Sequence, residues 1–380
     1  MNSQNSEICT LLKRMVFKDS DESPFTISPN ITEWAIQTRL GSCLIDYLDT
    51  NHFDKKLTTS LNAESLTAKF WFQTQYQATL ELIAELNKNN ITPTLLKGMS
   101  ISTELYPKAH YRSMRDIDIL VKDHEIEIVE SIMLKLGYTQ SSHLPLSFYE
   151  THHHTIPWQH KKNDIWFEIH RKLFPQTSAC SNTKTFQLST INNEKITSII
   201  DDKNDSLQVY RLSNELQIIY IAAHWAESFK QIGGLFAFID TALLINNTPI
   251  NWKKLTSFAN YPYIANYTYI VLANLIKNNL IDSLTNLQHL NQIKHSLSIV
   301  DVWVLNKIIS RYLFNGKSFG KFLSVDNISI LWNLFISNKN PFKKIFLAPI
   351  YIIFPPRSEQ RFNISFQLSR IKNLLFKSAG

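Results

Sequence analysis

Two carboxylates at alternate positions of one apolar run, Arg115-Asp116-Ile117-Asp118-Ile119-Leu120-Val121, are the residues of this chain best placed to do chemistry. Alternate side chains of a strand share a face, so the run predicts a strand with Asp116 and Asp118 projecting together and Ile117 and Ile119 entering the opposite layer. Asp is a poor strand former. Two anions about 7 Å apart or closer on a strand repel each other and raise one pKa unless something neutralises them. A hard cation such as Mg²⁺, which takes one or two carboxylates plus substrate phosphates, is the usual neutraliser. The pattern is that of a metal site for phosphoryl or nucleotidyl transfer; the plainer alternative is a half-exposed edge strand with two outward Asp residues.

The elements that must hold the pair can be read on either side of it. Residues 62–88 predict a helix, with Phe70, Phe72, Leu80, Ile83, Ala84 and Leu86 on its apolar face and Asn89-Asn90 as its stop. Ile91 to Leu96 predicts a short strand, Lys97-Gly98 a turn into a short helix ending near Tyr106-Pro107, and Asp116 to Val121 the next strand. Asp123 is the expected N-cap of a helix running to Leu136, with Gly137 at C′. Strand–helix–strand–helix with a glycine at the first turn puts backbone N–H groups where a phosphate could sit. Further on, Ile165-Trp166-Phe167-Glu168-Ile169-His170 alternates, so Glu168 and His170 share a face.

Leu95 to Val121 resembles the nucleotidyltransferase superfamily that includes DNA polymerase β. More narrowly it is similar to a bacterial nucleotidyltransferase-like family whose signature falls here on Leu96, Lys97, Gly98, Tyr106, Pro107, Arg112, Asp116, Asp118, Leu120 and Val121. His153-His154-Thr155-Ile156-Pro157, Phe167-Glu168-Ile169-His170, His224 and Asp240 match its later positions, and the likeness extends over about 60–245. The resemblance implies a third carboxylate, Glu168, completing a catalytic and metal-binding set with Asp116 and Asp118 around Mg²⁺ (or Mn²⁺). Asp164 competes for that place but follows Lys161-Lys162-Asn163 at a turn-like strand start. The resemblance also implies an NTP substrate held by Lys97, Gly98, Ser100 and Arg112, with His154, His170, His224 and Asp240 as supporting or acceptor-binding candidates. One departure stands out: the superfamily has Gly-Ser at this turn, whereas Gly98 is followed by Met99, with Ser100 one position later.

Other polar residues have plainer readings beside the functional ones. Arg115 is expected to point away from Asp116 into a salt bridge or solvent. Eight of the 12 histidines lie between His110 and His170. His152-His153-His154 with His160 could bind a transition metal, but without accompanying Cys or HExxH spacing a rim turn is the expectation. His170 is either a general base or phosphate donor or a hydrogen-bonded strand residue beside Glu168. His224 and Asp240 fall in apolar helices and read as core residues paired with each other.

Hydrophobic content of 44% with 19% charged residues marks a globular chain, and 380 residues suffice for more than one core. No P-loop or GxGxxG is present, against Walker-type and Rossmann sites. The polar start and the scattered Cys9, Cys43 and Cys180 fit a cytoplasmic protein. Net charge is +7, and residues 331–380 alone carry eight Lys/Arg against Glu359. This tail, with apolar Ile345 to Phe354 and amphipathic Ile364 to Phe376, could meet an anionic partner or membrane surface. The expected fold is α+β: a helical segment over 1–90, a small mixed β-sheet nucleotidyltransferase core over 91–200, and a largely helical C-terminal domain over 205–380. The expected function is Mg²⁺-dependent nucleotidyl transfer to a peptide, protein or small-molecule hydroxyl, favoured over a nucleic acid. The resemblance connects that chemistry with bacterial natural-product pathways. The alternatives are a non-catalytic binding protein that keeps the fold and an RNA-modifying transferase of toxin type.

Overall fold

The computed structural model describes residues 3–17, 28–48, 55–142, 144–202, 205–229, 234–310, 325–337, 344 and 346–347. The tail segments at 345–354 and 364–376 therefore lie outside the described residues, apart from 346 and 347. The fold is α+β, with a seven-stranded mixed sheet between helical regions. The strands are β1 (Thr94–Leu95), β2 (Ile117–Leu120), β3 (Thr139–Gln140), β4 (Trp158–His160), β5 (Ile165–His170), β6 (Lys195–Asp202) and β7 (Asp205–Leu212), in the order β3-β4-β5-β2-β1-β7-β6. The helices that matter here are α1 (Lys55–Lys88), α2 (Lys97–Leu105), α3 (Ile126–Lys135), α4 (Asn214–Glu227) and α5 (Leu235–Asn247).

The period-2 pattern of the two central strands explains the layering. Ile117, Ile119, Phe167 and Ile169 are buried with Leu82, Ile83 and Leu86 of α1 and Val129 and Met133 of α3 in one cluster on one face of the sheet. Asp118, Glu168 and His170, at the alternate positions, are left to the other face. There a second cluster joins Leu96 and Leu120 to Leu216 and Tyr220 of α4 and Phe238 and Ile239 of α5. The same cluster takes in Leu11, Trp34 and Leu44 from the N-terminal helices and Ile270 from a later one, so both helical ends of the chain bury one shared core. The sheet also reaches past residue 200, since β7 pairs in parallel with β1.

Three local expectations change. The long helix begins at Lys55, and Phe70 is 68% exposed, because only the stretch from Ala78 onward meets the sheet. Asp123 does not cap the helix after β2. A 3₁₀ turn, Asp123–Glu125, comes first, and the Glu125 carboxylate accepts the Lys122 backbone N–H at 2.8 Å, satisfying a donor that the helix start leaves free. Gly137 does take the left-handed conformation, with φ of 84°, where a Cβ would be strained. No helix among the described residues is long and apolar enough to cross a membrane.

Candidate active site

Strands β2 and β5 run parallel, with Asp118 beside Glu168 and Leu120 beside His170. That register brings one carboxylate of the Asp-x-Asp pair next to the third carboxylate and leaves Asp164 outside. Asp164 sits in a left-handed turn, φ 51°, and accepts from Gln159 and Trp166 instead. Ligand atoms of Asp118, Glu168 and His170 all lie within 4.8 Å of one another. Buried Asp118 accepts from Lys97 Nζ and from His170 Nε2, each at 2.8 Å on Oδ1. His170 Nε2 is also 3.5 Å from Glu168 Oε2. Asp116 has no hydrogen-bond or ion-pair partner among the described residues, and Arg115 is exposed.

Lys97 is placed by the turn that the sequence predicts. The Leu96 N–H donates to the Asp118 carbonyl at 3.0 Å, extending the β1–β2 pairing, and the chain then turns at once into α2. Lys97 takes φ of 47° to make that turn, a conformation costing a non-glycine residue on the order of 1 kcal/mol or more. The ammonium–Asp118 bond is what the strained turn delivers. Gly98 follows because the space beside it is filled: a Cβ would stand 2.8 Å from Met114 Cγ and Sδ and 3.1 Å from Arg112 Cζ. Gly98→Ala is expected to cost about 1–3 kcal/mol by overpacking, nearer the low end if Met114 swings away; urea unfolding would measure it.

The electrostatics follow from three acids gathered under two cations. Burial and the neighbouring Asp118 and Glu168 push Asp116 up to about 7. Burial alone would raise Asp118 too, but Lys97 and His170 hold it well below the ordinary carboxylate range. Burial disfavours both cations, yet Asp118 chiefly keeps Lys97 and His170 above their usual values. The signs set a pH dependence. Asp116 binds a proton more readily folded than unfolded, so it costs stability progressively as pH rises from about 4 to about 7. A divalent cation would remove that repulsion. We expect Mn²⁺ to raise the melting temperature over an EDTA control more at about pH 8 than at about pH 5; equal shifts would count against cation binding at these acids.

Several expected residues are engaged elsewhere. The Ser100 hydroxyl donates to the Lys97 carbonyl at 2.7 Å and accepts from Gln217 at 3.1 Å, so it is turned into the protein. Arg112 Nε bonds Asp240 Oδ1, and its Nη2 lies against Oδ2, both at 2.9 Å. Asp240 therefore pairs with Arg112 and Tyr106 and not with His224, since α5 presents it to the residues that follow α2. His224 packs edge-on to Tyr220, with ring centres 5.8 Å apart, and burial with Lys97 nearby lowers its pKa to about 3. His154 Nε2 is 3.8 Å from Glu168 Oε1. Tyr220 is not among the residues that the sequence singles out. It is fully buried, its hydroxyl has no partner among the described residues, and its surroundings include the charges of Lys97, Asp118, Glu168 and Asp116. A tyrosine inside an apolar helical pattern gives no local signal of such a neighbourhood.

Fold and site together define an α+β protein with a cluster of two carboxylates and a histidine on two parallel strands. A family model described as an uncharacterised nucleotidyltransferase matches residues 28–275, and the chain belongs to that family. No curated protein and no solved structure matches it.

Proposed function

We propose that this chain is a divalent-cation-dependent nucleotidyltransferase of the DNA polymerase β type, moving a nucleotidyl group from an NTP to a hydroxyl of a peptide, protein or small molecule. The observation that carries the reading is the register that sets Asp118 beside Glu168, with Asp116 unpartnered two residues earlier. These acids fit a cation: they are oxygen donors, Asp118 and Glu168 lie close together, and burial with those two neighbours outweighs Lys97 and His170 in raising Asp116. Mg²⁺ or Mn²⁺, when bound, would polarise the α-phosphate and offset charge on the attacking and leaving oxygens. Asp116, Asp118 and Glu168 would hold it.

The chain's own residues divide the remaining work. His170, donating to Asp118 at 2.8 Å, fixes that carboxylate. Lys97, bound to Asp118 at 2.8 Å, would exchange it for a phosphate oxygen. The first N–H groups of α2, at Gly98 and beyond, offer donors at a positive helix end. Glu168, beside Asp118 on the neighbouring strand, would complete the set and position or deprotonate the acceptor's hydroxyl. With Ser100 and Arg112 turned inward, triphosphate binding falls to Lys97 and the backbone. That same engagement favours a second reading, a binding protein without transfer activity.

Calorimetric titration of each NTP with Mg²⁺ or Mn²⁺ separates the two. Cation-dependent binding to the wild type, lost in Asp116→Asn/Asp118→Asn, followed by pyrophosphate release with an acceptor, is the expected result. No binding of any NTP by the folded wild type would overturn the transferase reading.

A further inference from the structure

We propose that His152, His153 and His154 form a second, nitrogen-rich metal site, distinct from the carboxylate site and suited to Zn²⁺. One ring nitrogen from each of the three lies within 4.8 Å of the others, where the sequence leaves a transition-metal site open but favours a rim turn. Three consecutive side chains converge because the backbone is pinned along β5. Thr155 N–H donates to the Ile169 carbonyl and Arg171 N–H to the His153 carbonyl, both at 2.9 Å, and His154 bridges to His170. Phe148 lies against the His152 ring, with centres 4.6 Å apart.

The donors are prepared as ligands. His154 Nδ1 is 2.6 Å from the Thr155 carbonyl oxygen. That oxygen only accepts, so Nδ1 carries the proton and Nε2 presents its lone pair. A backbone carbonyl fixing the far nitrogen in this way is the usual support of a metal-bound histidine. The Nδ1 atoms of His152 and His153 are buried without a partner among the described residues, a state that is costly for a buried polar atom. A fourth donor is at hand: Glu168 Oε1 is 3.8 Å from His154 Nε2, while its Oε2 faces His170 at 3.5 Å. Glu168 could thus serve both sites, one oxygen to each.

The nearby cations do not fill the position. Lys97 is bound to Asp118, and Arg171 Nη2 reaches the Tyr149 carbonyl at 3.4 Å. Three imidazole nitrogens and one carboxylate oxygen match Zn²⁺ or Co²⁺ and not Mg²⁺, which keeps to oxygen. In a tetrahedral shell with Zn–N of about 2.0–2.1 Å the nitrogens stand roughly 3.4 Å apart, so the three rings, whose centres lie 4.2, 4.3 and 4.9 Å apart, must turn to aim one nitrogen each at a common point.

Co²⁺ titration of the full chain tests this, because a tetrahedral ion gives visible ligand-field bands that Mg²⁺ does not produce. We expect bands that saturate at one ion per chain, vanish on adding Zn²⁺, persist in Asp118→Asn and disappear in His152→Gln/His153→Gln with an unchanged circular dichroism spectrum. Persistence in Asp118→Asn separates this site from the proposed transfer site. Absent bands, or bands lost in Asp118→Asn and kept in the histidine variant, would overturn the proposal. If the histidine variant does not fold, zinc-edge X-ray absorption of the wild type decides: a shell with two or more imidazoles supports the site, and one with a single imidazole or none refutes it.

Discussion

Asp118→Asn should lower the rate of nucleotidyl transfer by about a thousandfold or more while leaving the chain folded. Stabilising transition-state charge through a bound cation is worth several kcal/mol, and about 4 kcal/mol is close to three powers of ten in rate. Asparagine keeps the size of the side chain and an oxygen for His170 and Lys97, whose bonds at 2.8 Å meet on Asp118 Oδ1. It removes the charge that justifies both. Glu168→Gln should fall by a similar amount if the carboxylates act as one unit. Asp118→Asn/Glu168→Gln would then be little worse than the poorer single variant, because groups acting together are not additive. Single-turnover assays with labelled NTP measure this, with thermal unfolding as the control. Activity of Asp118→Asn within tenfold of wild type would remove these acids from the chemistry.

How much of this was legible depends on the range of the interaction. The alternation in Ile117 to Leu120 and Ile165 to His170 told which side chains share a face, because a strand with one buried face repeats every two residues. The strand holding Asp118, the turn position of Asp164 and Gly137 at its helix end were all readable, since each is decided within a few residues. The Asp118–Glu168 register was an inference from resemblance, and the β2–β5 pairing supplies it. What escaped were partners far apart in the chain. Arg112 and Asp240 are 128 residues apart, Ser100 and Gln217 are 117 apart, and Tyr220 reaches the site only because α4 lies over the sheet. Phe70 went wrong for a related reason: helical periodicity names an apolar face without saying where along the helix its neighbour ends. Glu125 escaped because a 3₁₀ turn moved the helix start by three residues.

Asp240→Ala is expected to be among the most destabilising single substitutions, and its partner shows what Arg112 is for. Asp240 and the guanidinium are buried together, with Nε and Nη2 on the two carboxylate oxygens, Nη1 on the Ser113 carbonyl at 2.7 Å, and the Phe236 ring 4.7 Å away. Removing one partner strands the other charge, at a cost of about 3–5 kcal/mol, whereas replacing both with apolar residues of similar volume is often close to neutral. Arg112→Met/Asp240→Leu should therefore unfold near the wild-type urea midpoint, while Asp240→Ala falls well below it. The double variant then separates two roles. If the ion pair only joins α5 to the turn before β2, NTP affinity in the folded double variant stays near wild type, which is the outcome that the engaged guanidinium leads us to expect. If Arg112 leaves Asp240 for a phosphate when NTP binds, affinity falls tenfold or more although stability is restored, and the nucleotide role implied by resemblance returns in a form that requires the ion pair to open.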